Sequence, residues 1–511
     1  MKHRLLAATF ALAVTAAGAQ DSTPLSAIDW LSQSVQVPNV VPVPERRTLD
    51  EPPVTSSATV PRVRTSPLDG ASPDPIGLLA PSVTALPTTL WSGSDEDLLI
   101  ALLRAEDIDG WPAMQELLQT LLLAEADPPL GASSEGKLFQ ARVDKLLDLG
   151  AIEQARGLLE QAQIETPNLF RRWFDVALLL GIENQACQVM QRRIDVAPTD
   201  AARIFCLARS GDWTAAALSL NTHIALGDFS DEEATLLARF LDPESFEGEP
   251  PLGPPPRLSP LMFRMYEAIG ERISTTTLPR AFAHADLQYT VGWKSQLEAA
   301  ERLTRHGAVA PNVVFALYNS RTPSASGGIW DRAAAIQAFE RALGSGEEDA
   351  IAAALPKAWK AASDAKIELA FAAEYTDRLI NFRPEGPAAK IAFQIALLAP
   401  DYEEAALARP DEDQALVSLA QGEPKYALRR DPTYRAVAAA FTTAQPPERL
   451  ITLAQEDKLG EAILRAIALF NIGTDGDLKA LTDALAFFRA IGLEDVARRA
   501  SLQVLLLDRR L

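Results

Sequence analysis

The stretch GAIEQARGLLEQAQIETP, residues 150–167, decides the fold. Between Gly150 and Pro167, the residues Ala155, Leu158, Leu159 and Ala162 fall on one face of a helix turning about 100° per residue. The ladder returns as Gly181, Ala186 and Pro198, and in part as Gly211 and Ala216, with glycine steps of 31 and 30 residues. A fixed period of this size marks stacked helical hairpins. The chain also ends on such a pair, residues 477–491 and 493–507, hinged at Gly492 with Ala497 five residues on. The predicted fold class is therefore all-α, an α-solenoid of helical hairpins.

Working outward, residues 94–241 read as the repeat region. Ser94 with Asp97 three residues on suggests a helix cap ahead of Leu98, Leu99, Leu102 and Leu103, and Ser230 with Glu233 suggests another. Upstream, residues 20–93 hold twelve of the 36 prolines, and each removes a donor and biases its predecessor to extended backbone. This segment is expected to be a disordered, Pro/Ser/Thr-rich tether. Inside it, Ile28, Trp30 and Leu31 could form a short helix that docks on a partner or on the protein's own body. Downstream, the proline density of residues 242–260 predicts a linker or long connecting loop, and residues 261–511 read as helical again.

The spacing of Gly150, Ala155, Ala162 and Pro167 resembles the second half of a tetratricopeptide repeat. In that family the glycine turns the chain between two helices, the alanines let the second helix pack closely, and the proline ends the unit. The resemblance is best over residues 134–228. It departs from the family in its shorter period, in irregular first-helix positions, and in Arg193 and His223 at the second small-residue position.

Two features speak to compartment. Lys2 and Arg4, the apolar run of residues 5–17 and the small-x-small Ala17-Gly18-Ala19 follow the order of a secretory signal peptide, residues 1–19. The expected location is the periplasm or exterior. Without Lys2 and Arg4, 46 basic side chains face 68 acidic ones, a net charge of −22. Such a surface repels nucleic acid and anionic lipid, and no long uncharged apolar run suggests membrane insertion. The acidity points to a partner with a basic patch.

In an oxidising compartment the two cysteines bear on structure. Cys187 lies 11 residues before Pro198 and Cys206 eight after it, on expected antiparallel helices. Their axial levels then differ by about 4–5 Å, which suits a disulfide, two buried thiols being the alternative.

No catalytic constellation emerges. An exported helical solenoid is similar to the superhelix of soluble lytic transglycosylases, but Glu244-Ser245 sits in a proline-rich connector that cannot desolvate a general acid. Ser363 and Lys366 form Ser-x-x-Lys without the Ser-Asp-Asn and Lys-Thr-Gly partners. His223, His284 and His306 are not paired at ligand spacing, so neither metal nor cofactor is expected. The best candidate ligand loop holds Arg321, Ser324, Ser326, Gly327, Gly328 and Trp330, where backbone donors at a helix start could face an anion. Trp293, Tyr289 and Trp330 form a modest aromatic cluster. The sequence thus favours a non-catalytic envelope scaffold or chaperone for a protein partner, with a peptidoglycan-binding factor as the alternative.

Overall fold

The computed structural model describes residues 72–162, 166–379, 381–425 and 431–507. The signal peptide and the Ile28, Trp30, Leu31 motif lie outside the described residues. What is described belongs to one compact unit of antiparallel helices, and no helix among these residues is long and apolar enough to cross a membrane.

The glycine ladder acts locally as its chemistry dictates. Gly150, Gly181, Gly211 and Gly492 all have φ between 76° and 88°, a region in which a Cβ is strained. At the first, the Gly150 N–H donates to the Leu147 carbonyl (3.0 Å) and the Ala151 N–H to that of Leu146 (2.8 Å), closing the Lys137–Asp148 helix. Each turn then opens a second helix whose alanine is fully buried: Ala155, Ala186, Ala216 and Ala497. Ala162 is half-buried at the end of Ile152–Gln161, and Pro167 opens the next helix, Pro167–Leu180, rather than merely ending a unit. Pro198 sits one residue before Thr199, which caps Asp200–Arg209.

The expected boundary at Gly93 moves upstream. Residues 72–93 are part of the body: Leu86, Leu90 and Trp91 are buried, and Leu78 and Leu79 both donate to the Leu123 carbonyl (2.8 and 3.0 Å). Prolines here interrupt helix but do not prevent packing. Nor is Ser94 the cap. Asp95 accepts from the Leu98 N–H (3.0 Å), while the buried Ser94 hydroxyl donates to Glu461 (3.1 Å), 367 residues on. At Ser230 the cap is as expected, accepting from the Glu233 N–H.

After a single 3-10 turn, Pro243–Phe246, the chain runs as a loop strapped to its own neighbours until Pro260 opens the next helix. Arg239 reaches the Pro250 carbonyl (3.0 Å) and Glu249 (3.0 Å), Glu271 accepts from the Leu252 N–H (2.6 Å), and the Tyr266 hydroxyl donates to the Gly253 carbonyl (2.9 Å). Residues 242–260 do not divide the core. One hydrophobic core contains Leu86 to Ala285 and returns at Phe393 to Leu502, so the first hairpins share an interior with the last. A second core holds the intervening hairpins from Trp293 to Ala399. The ends meet through Gly93 N–H to the Asp457 carbonyl (2.9 Å), Gly460 N–H to the Leu90 carbonyl (2.9 Å), Ala113 N–H to Gln503 Oε1 (2.9 Å) and an Arg499–Glu116 ion pair (2.8 Å).

Glu106, just past the Glu96–Ala105 helix, is buried, and desolvation pushes its carboxyl up to about 8, with nearby Lys145 opposing. Folded Glu106 therefore holds a proton that the unfolded chain releases near its ordinary 4.5. Between about pH 4.5 and 8 the folded state binds more protons, so this group's contribution to stability falls as pH rises through that window. Glu106→Gln is expected to flatten that part of the stability–pH curve in urea melts; an unchanged slope refutes the assignment.

Candidate partner-binding surface

The repeat region places its most unusual surface on the Trp213–Leu226 helix. Asp212 caps it, accepting from the Ala215 N–H (3.1 Å), and Gly227 ends it in the left-handed conformation. Nine of its fourteen residues are apolar, and the five polar ones, Thr214, Ser219, Asn221, Thr222 and His223, are spread around it, so no polar face is set apart. Yet only Ala216 and Leu220 are buried. Trp213 is 51% exposed, Leu218 68%, Ile224 46% and Leu226 69%. At about 100° per residue, Trp213, Ala217 and Ile224 lie within roughly 40° of one another, and Leu218 and Ala225 form a second exposed apolar pair about 100–120° further round, past Thr214 and Asn221.

Acidic side chains stand at both ends of this helix. His223 is the helix's one ionisable side chain, with Nδ1 2.8 Å from Asp228. Asp212 and Asp228 flank the ends, and Asp231, Glu232 and Glu233 open the following helix. Basic neighbours are engaged: Arg193 with Asp195 (2.6 Å), Arg203 with Asp200 (3.7 Å) and Arg209 with Glu183 (3.0 Å). Apolar faces of this kind, rimmed by charge, mark interaction sites more often than solvent-only surfaces. The signal was present in the sequence as a helix without an apolar–polar division, but spacing alone could not say which half lacks a neighbour.

The hairpin beneath is stapled. Cys187 and Cys206 are disulfide-bonded, with Cα atoms 5.0 Å apart, joining the Glu183–Arg192 and Asp200–Arg209 helices. Closing a loop of this separation is worth roughly 3 kcal/mol. Cys187→Ala/Cys206→Ala should lower the unfolding free energy by about that amount, and reduced wild type should match it. A double variant as stable as oxidised wild type refutes the estimate.

The other sequence candidates are dispersed. In the loop before Ile329–Ser345, Gly327 and Gly328 both have positive φ, and Arg321, Ser324 and Ser326 are exposed. The Gly327 N–H, however, donates to Asp331 Oδ1 (2.9 Å). A backbone donor already occupied by a carboxylate opposes the anion expected there. Trp293 is buried and its indole N–H donates to the Leu317 carbonyl (2.9 Å), with Trp330 tilted against it at 5.2 Å. Tyr289 alone of the three stands in solvent, 89% exposed. His284 and Asp286 are both buried but turn to different partners, the Gly150 carbonyl and Thr275 with Arg272. No protein-family model, no curated protein and no solved structure matches the chain.

Proposed function

We propose that the protein is a non-catalytic helical-repeat scaffold that holds a protein partner of the cell envelope. The observation that carries this reading is the exposed apolar face of the Trp213–Leu226 helix, set among acidic residues and without a Lys or Arg of its own. Such a strip suits a partner that offers apolar side chains bordered by basic ones, whose charges also speed encounter with an acidic protein. Export to the periplasm rests on the leader-like order of residues 1–19. The peptidoglycan alternative needs exposed aromatic platforms, and of Trp293, Tyr289 and Trp330 the first is buried with its N–H engaged.

The test is recovery of bound proteins from envelope extract by the mature chain and by its Leu218→Glu variant. Wild type is expected to retain a stoichiometric partner, and Leu218→Glu to weaken it by 2 kcal/mol or more, about thirtyfold. Residue 218 is exposed, so the variant should melt as wild type does. Binding to sacculi without a protein partner, or muropeptide release by the isolated protein, overturns the reading.

A further inference from the structure

A cavity of about 410 Å³ lies where the first two repeat hairpins meet the segment that follows the 242–260 loop. Its apolar wall is Leu180, Leu287, Val309 and Val313. Its polar lining is Glu153, Gln154, His284 and Gln288, and neither Lys nor Arg contributes. It is an open cleft whose lining is more apolar than polar.

The polar groups are biased toward accepting. His284 Nε2 is 2.7 Å from the Gly150 carbonyl. A carbonyl can only accept, so Nε2 carries the proton and Nδ1 presents a lone pair. Burial holds this imidazole down at about 4, so it is neutral near pH 7. Gln154 Oε1 is buried and has no hydrogen-bond partner. With almost no accessible surface this oxygen lies behind the cavity wall, so the acceptors left for a ligand are His284 and the Glu153 carboxylate. Glu153 adds an exposed carboxylate at the rim, 3.6 Å from Arg156. A ligand that meets this lining brings N–H donors, a positive charge and an apolar body. An anion would meet a carboxylate and no cation of the lining.

We propose that this cavity, lined by Gln154, His284 and Glu153 against Leu180, Leu287, Val309 and Val313, binds a small organic ammonium by its charged head and apolar body. The site shares no residue with the Trp213–Leu226 face and stands or falls separately from the scaffold reading.

The test is calorimetric titration of the full mature chain with 2-phenylethylammonium, its neutral alcohol analogue 2-phenylethanol, and phenylacetate. Saturable binding of the ammonium is expected, at least about tenfold tighter than either analogue. Glu153→Gln should weaken it about tenfold, and Val313→Phe, which fills the cavity from a half-buried position, should abolish it. Circular-dichroism melts of both variants report whether the fold is kept, and a ligand-induced shift of the His284 ring signals in NMR spectra of wild type reads the site without any substitution. Absence of saturable binding, equal affinity for phenylacetate, or full affinity retained in both folded variants overturns the proposal.

Discussion

Trp91→Ala is expected to destabilise the protein by about 3–5 kcal/mol and to release the segment preceding it to protease. The indole is fully buried against the Leu459–Thr474 helix, where the first and last described hairpins share one core. The contact exists because residue 460 is glycine. A Cβ on Gly460 would stand 2.2 Å from Trp91 Cζ3 and 2.3 Å from Cε3, far inside contact distance. Glycine inside a helix ordinarily costs up to about 1 kcal/mol relative to alanine, so Gly→Ala usually stabilises. Here the sign reverses: Gly460→Ala should destabilise by roughly 1–3 kcal/mol. Gly344→Ala is the control, because a Cβ there meets nothing within 4 Å, and it should be neutral or stabilising. In the Trp91→Ala background the Gly460→Ala penalty should largely vanish, a coupling of about 1 kcal/mol or more. Strict additivity in urea-melt free energies would show that the two residues do not meet as described.

The second large effect is expected at Arg142, whose side chain is completely buried. Its Nε donates to the Leu122 carbonyl (2.8 Å), Nη1 to that of Asp74 (3.0 Å) and Nη2 to that of Ala124 (2.9 Å). Asp74 Oδ1 in turn accepts from the Phe139 N–H (2.8 Å) and caps the Lys137–Asp148 helix, which lacks a side-chain cap of its own. One guanidinium thus fastens the incoming segment, the end of the Pro112–Leu123 helix and the start of the first repeat. Arg142→Met leaves three buried carbonyls without donors and Asp74 without its cation, at a cost of about 3–5 kcal/mol. Arg142→Lys should recover little, because an ammonium does not reproduce the planar fork that spans the three carbonyls. Asp74→Asn keeps an acceptor for the Phe139 N–H, and burial already pushes the Asp74 carboxyl up, so its cost should stay near 1 kcal/mol. If Arg142→Lys is as stable as wild type in urea melts, the three-carbonyl clamp is wrong.

Of the candidate surface, the reading of the sequence supplied only the acidity. The acidity, the missing catalytic pairs and the unusual apolar evenness of residues 213–226 are properties of composition and order. What could not be read was which side of that helix remains open, since burial depends on which other helices pack against it and not on spacing within the helix. The lone histidine His284 likewise gave no sign in sequence that it would reach the Gly150 turn, 134 residues away.

By itself the sequence determined the hairpins. Glycine at 150, 181, 211 and 492 and alanine five residues later are local requirements, a left-handed turn and a close helix approach, and both act within one hairpin. Only the tertiary structure decided that residues 72–93 belong to the body, that the loop at 242–260 joins rather than separates, and that the first hairpins close against the last. Those outcomes rest on Trp91 with Gly460, Arg142 with three carbonyls, Ser94 with Glu461, and the bonds of Arg239, Glu271 and Tyr266 to the loop. Partners so far apart in the chain leave no period to read, because their energy comes from packing and hydrogen bonds formed only after the helices meet.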